Sequence, residues 1–159
     1  MTEILLQNLD LLIFLVLLAL GYTAGSMAEK RHYRSIHERE MELIKLPVVT
    51  AEGRFPPGKV KESFMVSGNA VISIDYFKRL LAILRNIFGG RVKSYESLVD
   101  RARREAILRM KEEAKARGGG MVLNLRLETS TIGRSANQKK QVGSVEALAY
   151  GTAVVFNRK

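Results

Sequence analysis

Residues 11–28 (LLIFLVLLALGYTAGSMA) run without one charged side chain. As a helix rising about 1.5 Å per residue they would cover about 27 Å, close to the hydrocarbon thickness of a bilayer. Ile4, Leu5, Leu6 and Leu9 extend the apolar run upstream, at the cost of carrying Asp10 toward the interface. Three readings compete: a transmembrane anchor, a secretory signal peptide and a buried core helix. A signal peptide needs a basic leading region, whereas residues 1–28 hold Glu3 and Asp10 and no Lys or Arg. Core helices are seldom so evenly Leu-rich on every side. The pattern favours the anchor.

Residues 29–45 (EKRHYRSIHEREMELIK) switch to a charged, helix-favouring composition with Tyr33, Ile36, Met41 and Ile44 near one face. They are expected to continue the anchor as a juxtamembrane helical stalk. The chain then divides into a transmembrane anchor (1–28), a stalk (29–45) and an α+β domain (46–159). Lys30, Arg31 and Arg34 follow the apolar run directly, and no basic residue precedes it. The positive-inside rule therefore puts the N-terminus outside and the domain on the cytoplasmic side of a bacterial inner membrane, single-pass. These three residues should sit at the membrane interface among anionic lipid headgroups. Gly21, Ala24, Gly25 and Ala28 are spaced as in packed membrane helices, too weak a pattern to establish oligomerisation. His32 and His37 lie about 140° apart around a helix, so one chain cannot chelate an ion with both. They are expected to face solvent or headgroups.

Beyond Pro47 the periodicity changes to that of a globular domain. Residues 48–50 read as a short strand, and Pro56-Pro57-Gly58 forces a turn. Residues 60–73 (VKESFMVSGNAVIS) nearly alternate, with Ser67-Gly68-Asn69 marking a bulge or break. Asp75 opens a helix whose apolar face is Phe77, Leu80, Leu81, Leu84, Ile87 and Phe88, and Gly89-Gly90 ends it. A second helix runs from about 95 to 117. Leu98, Ala102, Ala106, Met110 and Ala114 recur every four residues along it, and Gly118-Gly119-Gly120 stops it. Residues 121–129 alternate, placing Leu123, Leu125 and Leu127 inward, and residues 130–144 read as a long polar hairpin loop. The final strand, 145–156, is apolar on both parities apart from Glu146 and Thr152, as in a strand covered by helices on one side and by a neighbouring subunit on the other. The order is β-β-α-α-β-β, two helices packed on a mostly antiparallel sheet.

These residues also suggest a family. Val66-Ser67-Gly68-Asn69-Ala70, Ile87-Phe88-Gly89-Gly90-Arg91, Ser94-Tyr95-Glu96 and Ala102-Arg103-Arg104-Glu105-Ala106 resemble the YbjQ family, as do Glu113-Ala114-Lys115-Ala116-Arg117-Gly118 and Tyr150-Gly151-Thr152-Ala153-Val154. The resemblance spans residues 46–156. It implies a compact α+β domain that assembles into homo-oligomeric rings, with pentamers as their form, under the customary label of heavy-metal binding. The chain departs from that label, having no Cys and no His inside the domain, and the anchor is an addition to it.

Composition narrows the chemistry. The 26 Lys and Arg outnumber the 16 Asp and Glu, a formal +10, which favours an anionic partner. The second helix supplies Arg101, Arg103, Arg104, Arg109, Lys111, Lys115 and Arg117 but only Tyr95 as an interleaved aromatic, so nucleic acid is disfavoured. Glu105–Arg109 and Glu113–Arg117 at i,i+4 point instead to a solvated, salt-bridged face. Gly89-Gly90 and Gly118-Gly119 stand at helix C-termini, the wrong end of the dipole for phosphate. No base, nucleophile or carboxylate pair forms a catalytic constellation, and no resident cofactor is implied. The leading reading is a non-enzymatic, membrane-anchored, homo-oligomeric ring module serving as scaffold or binding module, with anionic lipid and another membrane protein as partners. The alternative is a metal or small-ligand sensor whose site forms between subunits.

Overall fold

A computed structural model describes residues 2–50, 59–73, 93–132 and 144–157. The expected helix over 75–88, with Gly89 and Gly90, lies outside the described residues, as do the tip of the 130–144 hairpin and the Pro56-Pro57-Gly58 turn.

Helix α1 (Thr2–Glu42) is one unbroken helix of 41 residues, about 60 Å long. Among the described residues nothing covers its apolar stretch, and its Leu11–Glu42 part is long and apolar enough to cross a membrane. The stalk is therefore the same helix as the apolar span. A turn through Leu46 ends it, and Pro47, which has no N–H to continue the ladder, leads into β1 (Val48–Val49).

The domain is a four-stranded sheet in the order β1-β3-β4-β2, comprising β1, β2 (Val60–Ser73), β3 (Met121–Ile132) and β4 (Ser144–Phe156). β2–β4 and β3–β4 pair antiparallel, and β1 joins β3 in parallel. Helix α2 (Lys93–Ala116) lies across one face of the sheet. The four-residue stripe of Leu98, Ala102, Ala106, Met110 and Ala114 is wholly buried there, against Val66, Ala70 and Ile72 of β2 and Val145, Ala147, Ala149 and Ala153 of β4. Alanines on both layers bring helix and sheet unusually close. Gly118, at φ 77°, then terminates α2: its N–H donates to the Lys115 carbonyl at 3.0 Å and the Gly119 N–H to the Ala114 carbonyl at 2.8 Å. This paired closure is why a left-handed glycine stands there.

Three expectations are corrected. Ser67-Gly68-Asn69 is no break: β2 runs through it in register with β4, and the irregularity falls between Val60 and Glu62. Gly68 is required because the α2 backbone crosses directly over it, so that a Cβ would stand 2.2 Å from the Ala106 carbonyl oxygen and 2.4 Å from the Met110 nitrogen. Strict alternation in β3 fails as well. The register shifts between Leu123 and Arg126, with Asn124 at φ 54°. This bulge puts Leu123 opposite Thr152, whereas Leu127 pairs with the buried Ala149, so the two leucines take opposite faces. Finally, β3 and β4 extend to Ile132 and Ser144, so the hairpin loop is shorter than 130–144.

The described residues cover the second sheet face only in part. Val154 is buried, yet Met65 is 70% and Val71 53% exposed, and Leu148 and Phe156 are also open. Tyr150 donates its hydroxyl proton to Glu128 at 3.0 Å on this face.

Candidate functional site at the helix junction

The charged chemistry of the described residues concentrates where the lower part of α1 meets α2. Ile36 and Leu43 of α1 and Leu108 of α2 form a small apolar core of their own. Leu108 stands on the side of α2 turned away from the sheet, so this helix buries two faces. The expected stalk face is corrected accordingly: Tyr33 and Ile36 turn inward, but Met41 and Ile44 are exposed, and Leu43 and Leu46 take the buried places.

Around that core runs an ion-pair clasp. Glu105 of α2 is the one buried charged residue among the described residues, its side chain 5% exposed. It accepts from both terminal nitrogens of Arg39 and, at 2.9 Å, from Nε of Arg109. Burial alone would push its carboxyl pKa up; hydrogen bonds from Arg39 and Arg109 outweigh that and hold it below the ordinary value. Arg39 also donates to Glu112 at 3.3 Å. Next to that pair, Arg104 grips Glu40 with two parallel bonds of 2.8 and 2.6 Å, the fork geometry that favours Arg over Lys. These bonds hold the Glu40 carboxyl low. Arg101 reaches Glu29 at 3.8 Å. Between them the Tyr33 ring lies 5.6 Å from the Arg101 guanidinium carbon and 6.0 Å from that of Arg104, and its hydroxyl donates to the Ser97 carbonyl at 3.3 Å.

His32 is half-buried inside this clasp, its Nε2 3.9 Å from Glu105, while His37 is exposed. Both were expected to face solvent or headgroups, and for His32 that is corrected. Burial, then the charge of Arg101, push the His32 pKa below its ordinary 6.5, with Glu105 opposing. Its Nδ1 is buried without a partner among the described residues.

The sequence-predicted residues fall in separate places. Lys30, Arg31 and Arg34 are exposed on α1, interleaved along the helix with the clasp residues Glu29, His32 and Tyr33. Gly118 and Gly119 close α2 at its far end. The pairs Glu105–Arg109 and Glu113–Arg117 exist, at 2.9 and 3.5 Å. The solvated face expected for α2, however, is half occupied: Arg101 and Arg104 turn to α1. Arg39 and Glu40 went unrecognised in the sequence, where Tyr33 was read only as part of the stalk face and Glu105 only as the partner of Arg109. The faint clue was Leu108, a lone apolar residue opposite the sheet-facing stripe.

Beside the clasp an open groove of about 680 Å³ is lined by Met41, Ile44, Leu46, Ile107 and Leu125, with Lys111 at its wall. Burial pushes the Lys111 pKa below its ordinary value, and Glu40 opposes this.

A family model, YbjQ, described as "Putative heavy-metal-binding", matches residues 48–157. The chain belongs to the YbjQ family. It is 40% identical over 102 residues to a UPF0145 protein of Hahella chejuensis, covering 63% of this chain and 90% of that one. It is 37% identical over 113 residues to a UPF0145 protein of Pyrococcus furiosus, covering 70% and 92%. A solved structure of a protein with unknown function from Pediococcus pentosaceus is similar at TM-score 0.39 and 14% identity, covering 70% of this chain and 98% of that one. The YbjQ match begins after α1, so the clasp joins a family domain to a helix outside the matched residues.

The family description implies a heavy metal. Soft and borderline ions take thiolate and imidazole donors. This YbjQ chain has no Cys, and both His lie outside the matched residues. Among the described residues no three of His, Cys, Asp and Glu are grouped to hold an ion. Glu105, the most enclosed carboxylate, already has two guanidinium partners. The described residues do not fit a heavy-metal site within one chain.

Proposed function

We propose that this YbjQ-family chain is a non-enzymatic, membrane-anchored scaffold or binding module that works as a homo-oligomer. α1 crosses the membrane once through residues 11–28 and holds the domain on the cytoplasmic side. The observation that carries this reading is the continuity of α1. The apolar span and the clasp residues Tyr33, Ile36, Arg39 and Glu40 belong to one helix, so the domain rides on its anchor as a fixed attachment rather than on a linker. Exposed Lys30, Arg31 and Arg34 follow the apolar span directly, where each adds about 1 kcal/mol of attraction to an anionic leaflet. Apolar Met65, Val71, Leu148 and Phe156, open on the second sheet face, support burial against a further copy.

Mass measurement of the full chain in detergent tests the assembly: a single species of several chains is expected, and a monomer overturns it. Elemental analysis of the same sample separates this reading from a metal site formed between subunits, which would show stoichiometric metal.

A further inference from the structure

Among the described residues β2 is an edge strand of 14 residues. An open edge of that length offers a row of free backbone N–H and C=O groups to any other strand. Here three groups at the centre of the row are taken. Arg109 donates through Nη1 to the Asn69 carbonyl at 2.8 Å. The Ser67 N–H donates to Oε2 of Glu113 at 2.8 Å. Arg117 donates through Nη1 to the Met65 carbonyl at 3.3 Å, and its guanidinium carbon lies 3.6 Å from the centre of the Phe64 ring.

The match follows from two repeats. Four residues of helix rise about 6 Å and two residues of strand about 6.6 Å. A helix antiparallel to a strand can therefore place residues i, i+4 and i+8 over alternate strand positions j, j−2 and j−4. The chemistry alternates too: guanidinium over carbonyl, carboxylate over N–H, guanidinium over carbonyl. A neighbouring antiparallel strand would pair with both the N–H and the C=O of Met65, Ser67 and Asn69, and the three side chains occupy three of those six groups. Gly68 makes the reach possible, because α2 crosses the strand there in backbone contact. On either side of these residues the edge is short: residues 60–64, interrupted by the irregularity between Val60 and Glu62, and residues 70–73.

We propose that Arg109, Glu113 and Arg117 act as a side-chain surrogate strand that bars the β2 edge to strand addition by a second copy of this chain. Copies are thereby confined to meeting through other surfaces.

The test uses the full chain in detergent. Hydrogen exchange at the Ser67 amide should be about tenfold faster in Glu113→Ala, the loss of one hydrogen bond. It should stay near the parent rate in Glu113→Gln, whose amide oxygen still accepts. The triple variant Arg109→Ala/Glu113→Ala/Arg117→Ala should form species heavier than the parent assembly, with mass rising with concentration; Arg103→Ala/Lys115→Ala, exposed on the same helix, should not. Unchanged mass in a folded triple variant overturns the proposal. If the triple variant does not fold, the single variants decide: equal Ser67 exchange in Glu113→Ala and Glu113→Gln also overturns it.

Discussion

Glu40 and Arg104, 64 residues apart in the chain, are joined by two hydrogen bonds of 2.8 and 2.6 Å and so tie α1 to α2. Both side chains are about one-third exposed, so solvent screens much of the attraction. A double-mutant cycle with Glu40→Ala and Arg104→Ala should give a coupling of about 1 kcal/mol, read from thermal unfolding of the domain. A coupling near zero would show that the pair is incidental to docking.

Removing Glu105 should cost more. Glu105→Ala leaves Arg39, three-quarters buried, without its main partner, and a loss of about 3 kcal/mol is expected. Glu105→Gln, which keeps an acceptor, should lose less. Because the folded carboxyl titrates below its ordinary 4.5, its contribution is complete above that pH and disappears as the pH falls through the lowered folded value. An acid titration of stability should therefore lose a transition below pH 4.5 in Glu105→Gln.

His32 acts in a higher window. Its folded pKa lies below 6.5, so the unfolded chain binds the proton more readily and stability should decline as pH falls below 6.5. The groups that face it are cationic Arg39, Arg101 and Arg109 and the single carboxylate Glu105. His32→Phe should flatten the decline below pH 6.5. Thermal melts of parent and variant across that range check it.

Gly68→Ala should be among the most damaging single-methyl changes in the domain. The new Cβ meets helix backbone at 2.2 and 2.4 Å, so α2 must lift from the sheet; a loss of about 3 kcal/mol or failure to fold is expected. Gly118→Ala meets no atom within 4 Å but keeps a φ of 77°, and should cost about 1 kcal/mol. Equal losses for the two would contradict the packing explanation.

Replacing Lys30, Arg31 and Arg34 together with Glu should weaken or invert insertion while leaving the domain folded. A reporter fused to the C-terminus reads the outcome. A C-terminus outside the cytoplasm in the parent chain would defeat the orientation.

Residue pattern alone determined the uncharged run of 11–28, the four-residue stripe of α2, the strand order along the chain and the glycine stop at 118–119. Each is a local property: uniform apolarity, a 3.6-residue period, alternation, or a backbone conformation that favours glycine. The family was legible for the same reason, in short runs such as Tyr150-Gly151-Thr152 and Glu113-Ala114-Lys115. Tertiary structure decided the rest. That Gly68 is a crossing point and not a break depends on α2 lying over it, and the opposed faces of Leu123 and Leu127 depend on a bulge that alternation cannot reveal. The charges of α2 were visible, but not which of them α1 would claim: Glu105–Arg109 is a four-residue pair on one helix, whereas Arg39–Glu105 and Glu40–Arg104 span more than sixty residues. Whether a charge faces water or a partner is set by which surfaces fold together, and one-dimensional periodicity carries no record of that.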